Sequence, residues 1–159
     1  MNEDDFMILD KFIKSSACPQ CGSMVGSILL SGPSCIGKTH FSSYLKKHGF
    51  SKTIGKLNFR HFLNGTEHVP DRKGVILIGA PYKIYLERWK ERGLKSQHKA
   101  KKLARELLNL GQGRDAFKEK YIKCIKKYEE YNIPHILIDY RNDGLILDKS
   151  SFIAMLTEK

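Results

Sequence analysis

Two hydrophobic patterns alternate along the chain. Short apolar runs mark Val25 to Leu30, through Ile28-Leu29-Leu30, then Val75-Ile76-Leu77-Ile78, and Ile133 to Tyr140, where Pro134 is tolerable at the start. Runs of that length, stopped by Ser31-Gly32, Gly79-Ala80-Pro81 and Asn142-Asp143-Gly144, predict buried strands. Elsewhere the apolar positions recur every three or four residues. Phe6, Leu9, Phe12 and Ile13 predict a helix over 4–16, and Phe41, Tyr44 and Leu45 predict one over 38–48 with Gly49 as its stop. Helical pattern continues over 82–91, stopping at Gly93, then over 96–110, 115–130 and 149–157. The stretch 50–73 has no clear period, with at best a weak strand near 52–57 and loops at Asn64-Gly65 and Pro70-Asp71.

Strands alternating with helices predict an α/β fold, a parallel sheet with crossover helices. The whole chain, 1–159, reads as one domain, with residues 1–23 as an N-terminal extension holding Cys18-Pro19-Gln20-Cys21-Gly22. Hydrophobic residues make up 41% and charged residues 28%, which excludes wholesale disorder. No apolar run approaches the roughly 18 residues that a membrane span needs. The acidic start, Met1-Asn2-Glu3-Asp4-Asp5, is unlike a basic secretory leader, so the expectation is a soluble cytoplasmic protein without membrane contact.

Charge changes the picture. The chain carries a net +11, and Lys83 to Lys127 alone holds fifteen Lys and Arg against five Asp and Glu. That block predicts a polyanionic partner, a nucleotide or a nucleic acid, and Lys101 and Lys102 are its candidate contacts. A solvated lysine face is the plainer alternative.

The chemistry is set by Gly32-Pro33-Ser34-Cys35-Ile36-Gly37-Lys38-Thr39, which fits G-x-x-x-x-G-K-[ST] between a predicted strand and a predicted helix. The glycines allow dihedrals that turn backbone N–H groups inward around phosphate oxygens. The helix start adds further N–H donors. Lys38 is placed to reach the β and γ phosphates and the Thr39 hydroxyl to ligate Mg²⁺, so ATP and Mg²⁺ are the expected ligands.

The strand Val75 to Ile78 followed by Leu86-Glu87-Arg88-Trp89-Lys90-Glu91-Arg92 resembles the late strand and lid helix of small P-loop kinases, the nucleoside monophosphate, shikimate and polynucleotide kinase group. With the later strand, the resemblance covers most of residues 25–145. It implies a three-layer P-loop NTPase fold with a short helical lid, and lid arginines at Arg88 and Arg92 acting on the transferring phosphoryl group. Their four-residue spacing puts both on one helix face.

The pattern departs from that group at its acid. Gly79, not Asp, follows the strand ending at Ile78, and Asn58-Phe59-Arg60 holds an amide where polynucleotide-type kinases carry an acid. Asp71 and Asp139 remain as candidates, and Asp139 also reads as a strand-end turn residue. Arg60 is a candidate acceptor contact. Cys18 and Cys21 resemble half of a zinc site whose other half is missing. The reading is an ATP-dependent kinase whose acceptor is a hydroxyl or phosphate on a nucleic acid or nucleotide. A small-molecule kinase and a nucleotide-binding ATPase or regulatory module are its rivals.

Overall fold

A computed structural model of the chain describes residues 1–15, 28–33, 36–49, 58–61, 74–95, 101, 113–141 and 144–159. Its elements in order are α1 (Glu3–Ser15), β1 (Ile28–Gly32), α2 (Lys38–Lys47), β2 (Asn58–His61), β3 (Gly74–Gly79), α3 (Tyr82–Lys95), α4 (Arg114–Glu130), β4 (His135–Asp139), β5 (Leu145–Leu147) and α5 (Lys149–Leu156).

The strands form one sheet in the order β2-β1-β3-β4-β5. The first four are parallel, and β5 runs antiparallel to β4, pairing Leu145 with Asp139 and Leu147 with Leu137. The fold is therefore α/β with a mixed sheet, which corrects the expectation of a purely parallel one. The reason is local: Gly144, at φ 85°, reverses the chain so that it pairs back on β4. A second correction lies at Gly93, which does not stop its helix, since α3 continues to Lys95. Strand β2 falls at 58–61 and includes Arg60, and the weak strand expected near 52–57 lies outside the described residues.

Every residue of β3 is buried. A strand covered on both faces reads as an unbroken apolar run, which is why Val75 to Ile78 was so legible. The connection from β1 to β2 and the connection from β3 to β4 leave in opposite directions. Right-handed crossovers then put α2 on one face of the sheet and α4 on the other.

Aromatic side chains knit the α4 face. Tyr85 stacks on Phe117 at 4.9 Å, Phe117 meets Tyr121 edge-on at 5.1 Å, and Tyr121 meets Phe152 at 5.6 Å. The Tyr121 hydroxyl donates to the Ile78 carbonyl at 2.8 Å, fixing α4 to β3. On the opposite side α1 is no appendage: Leu9 and Ile13 have no exposed surface, and Phe6 packs on Tyr44 and His48 of α2.

Candidate functional site

The turn from β1 to α2 is shaped by its glycines. Gly32 has φ 148°, and a Cβ there would lie 2.8 Å from the Ile78 carbonyl oxygen and 2.9 Å from Ile36 Cγ2. Gly37 has φ 113°, and its Cβ would meet the Tyr140 ring at 2.6 Å. Both positions thus require glycine for conformation and for space. Ile36, fully buried, anchors the loop between them. Gly37 is the N-cap of α2, which has no side-chain cap and no acid in its first turn. No side-chain cap of its own therefore competes with an anion for the helix start.

Lys38 folds back over this loop. Its ammonium donates to the Gly32 carbonyl at 2.5 Å and to the Pro33 carbonyl at 3.0 Å, and the residue is 9% exposed. Thr39 is exposed on the first turn of α2. Ser34 and Cys35 lie outside the described residues.

Arg88 reaches the loop from α3. Its Nη1 donates to the Ile36 carbonyl at 2.6 Å and its Nη2 to the Tyr140 carbonyl at 3.0 Å. Tyr140 completes the junction: its N–H donates to the Gly79 carbonyl at 2.8 Å, its ring packs edge-on against Phe41 at 5.2 Å, and its hydroxyl hydrogen-bonds His40 Nδ1. The ends of β1, β3 and β4 therefore meet through one arginine and one tyrosine. Tyr140 and His40 carried no motif in the sequence. Tyr140 merely continued an apolar strand, and no signal linked it to a loop a hundred positions earlier.

Arg92 is exposed, four residues beyond Arg88. No contact among the described residues brings it to the loop.

Asp139 stands at the end of β4, in register with Gly79, on the edge of the sheet that carries the loop. It is 6% exposed, and its carboxylate accepts from Arg141 Nε at 3.0 and 3.2 Å and from Nη2 at 2.8 Å. Arg141 also donates to Glu158 at 3.0 Å. Its hydrogen bonds to Asp139 raise the guanidinium above its ordinary pKa, against the effect of burial. The one described acid at a parallel-strand end is thus already matched with a cation.

No family model, curated protein or solved structure matches the chain.

The missing acid after Ile78 has a packing cause. A Cβ on Gly79 would lie 2.6 Å from Phe152 Cζ and 3.1 Å from Leu156 Cδ2. Helix α5 occupies the volume that an aspartate would need. Among the described residues no group of three His, Cys, Asp or Glu side chains could hold a metal ion. Cys18, Cys21, Asp71 and Lys102 lie outside the described residues. Arg60 is in β2 opposite Ser31 of β1, one residue before the strand ends, and Lys101 is helical and exposed.

Proposed function

We propose that the chain is an ATP-dependent phosphotransferase of P-loop type, which transfers the γ-phosphoryl group of ATP to a nucleic acid or nucleotide acceptor. The observation that carries this reading is the β1–α2 turn, where two positive-φ glycines bracket a loop with Lys38 folded onto it. The strand order supports it. Open α/β sheets bind ligands where connections diverge, beyond the carboxyl ends of the strands. Here that point lies between β1 and β3, where the loop, Arg88 and Tyr140 meet.

The chemistry follows from competition between acceptors. Lys38 is held by two neutral carbonyls, and phosphate oxygens attract an ammonium more strongly because both partners are charged. Bound ATP would draw Nζ from the carbonyls onto the β and γ phosphates. Arg88 spends two donors on backbone, so its first task is to hold the loop open, with its remaining donors available to charge developing on the transferring group. Thr39 is the side chain that fits Mg²⁺, with phosphate oxygens and water as the other ligands. The ion would neutralise charge between the β and γ phosphates. The exposed cations Lys83, Lys90, Arg92 and Lys101 favour an anionic acceptor.

A second reading, a nucleotide-binding ATPase or regulatory module, is favoured by one observation: Gly79 and the Arg141-bound Asp139 leave no uncommitted acid at the described ends of β3 and β4. One assay separates the two. The chain is incubated with γ-labelled ATP, Mg²⁺ and a panel of nucleosides, nucleotides and oligonucleotides. Label on an acceptor, lost in Lys38→Ala, supports the phosphotransferase. Release of inorganic phosphate without a labelled acceptor supports the second reading.

A further inference from the structure

A cleft of about 560 Å³ opens beside α3, lined by Tyr82, Lys83, Leu86, Gly113, Arg114 and Asp115. It belongs to the sheet edge that carries the phosphate loop, because α3 begins three residues after β3 ends and α4 descends from that edge towards the start of β4. It does not open onto the loop, however. Lys83 and Arg88 are five residues apart, about 140° round the helix. One flank of α3 is fastened to the phosphate loop through Arg88, while the other faces the cleft.

The floor is apolar and rigid. The Tyr82 ring is nearly buried against Phe117 at 5.3 Å, and its hydroxyl accepts the Gly113 N–H at 3.0 Å, which joins the two walls. The rim is cationic. Lys83 and Arg114 make no ion pair among the described residues. Lys90 lies seven residues after Lys83 on the same face of α3, with the exposed Glu87 between them, and Lys118 lies four after Arg114 on α4. Asp115 is the one acid in the lining.

These features narrow the ligand. Cations on both walls with no ion pair among the described residues call for an anion, and their continuation along both helices suits an extended one. The volume falls in the range of about 300–1,000 Å³ that holds a small organic unit, more than a bare phosphate fills. An acid beside two cations suits a ligand that also carries hydrogen-bond donors, as a sugar hydroxyl or base amine does. An apolar floor suits an unstacked base or a sugar, which a duplex does not offer.

We propose that this cleft anchors a single-stranded nucleic acid, one nucleotide unit in the cleft with its two phosphates on Lys83 and Arg114 and the next phosphates along the strand on Lys90 and Lys118. The proposal rests on the phosphotransferase reading only for why a strand would be held, as acceptor; the binding itself needs no ATP.

The test is fluorescence anisotropy of a labelled oligonucleotide of about twelve nucleotides with the full chain and no ATP. Lys83→Glu combined with Arg114→Glu should weaken binding by about tenfold or more. Lys123→Glu with Lys126→Glu makes the same charge change farther along α4 and should stay within about threefold of wild type. A duplex or a mononucleotide should bind at least about tenfold more weakly. Should the reversed pair fail to fold, Lys83→Gln with Arg114→Gln should lower the salt slope by about 1.4, or 0.7 per phosphate contact.

Equal weakening by the two reversed pairs would assign binding to the diffuse field of the basic block and overturn the cleft. So would equal affinity for duplex or mononucleotide, or no binding by wild type. Failure of the phosphotransferase reading has a separate signature, no labelled acceptor in the transfer assay, which leaves these anisotropy results intact.

Discussion

The Arg88 guanidinium is bonded to the Ile36 carbonyl at 2.6 Å, so the helix that follows β3 is fastened to the backbone of the phosphate loop. The second bond of the same side chain, to Tyr140, extends that fastening to the end of β4.

Removing the side chain orphans two partly buried carbonyls. Arg88→Ala should therefore destabilise the fold by about 2–4 kcal/mol, since hydrogen bonds to charged groups contribute roughly 1.5–3 each. Arg88→Lys, which cannot fork between two carbonyls, should recover less than half of that. Denaturant melts check the stability, and nucleotide titrations should show weakened ATP binding along with any loss of rate. Loss of rate alone, at unchanged affinity and stability, would mark Arg88 as acting on the transition state only.

Gly79→Asp restores the acid that the P-loop kinase pattern leads one to expect. It should destabilise by about 3 kcal/mol, because the new side chain must displace the Phe152 ring. Phe152→Ala alone should cost about 3–5 kcal/mol for the cavity it leaves. Combined, the two should cost less than their sum by at least about 1 kcal/mol, since the second change makes room for the first. Additivity in the double-mutant cycle would refute the packing explanation.

Tyr140 and Gly37 should respond differently to small changes. Tyr140→Phe keeps the ring against Gly37 and Phe41 and gives up the bond to His40, so it should cost no more than about 1 kcal/mol. Gly37→Ala adds one methyl group at φ 113° against that buried ring, so it should abolish ATP binding and also cost about 2–3 kcal/mol of stability. Isothermal titration of both variants with ATP compares them directly.

Acid should weaken the α4–α5 junction. Lys149 donates to Glu129 at 2.8 Å, and the Ser151 N–H donates to Asp148, the N-cap of α5, at 2.8 Å. These bonds hold both carboxyls below their ordinary pKa values. Each therefore adds stability above its unfolded value, and the addition is lost as pH falls through the lower, folded value. Melting temperature should drop through the carboxylate range below about pH 4.5, and Asp148→Ala should flatten that drop. An unchanged acid limb in the variant would remove Asp148 from the account.

Much of this site was legible because its signals are local. Gly32, Gly37, Lys38 and Thr39 fall at fixed spacing within eight positions, and the apolar run of β3 announces burial on both faces. Strand β5 was not legible, because three residues carry no period and its pairing depends on the turn at Gly144. Arg88 was read as a lid residue from its spacing to Arg92. The structure separates the two, one against the loop and one exposed, because the packing of α3 and not its sequence decides which arginine meets Ile36. The acid's absence at Gly79 was visible, but its cause lies seventy positions later in α5.

Helix α1 has a consequence for how the chain comes together. Leu9 and Ile13 need the body of the protein to bury them, and Asp5 accepts the Ile146 N–H across 141 positions. Contacts of such long sequence separation close slowly, and synthesis supplies the partner only once β5 has been made. Residues 5–13 are thus made early and seated late, and a nascent chain already past its phosphate loop still waits for β5 before α1 has a place.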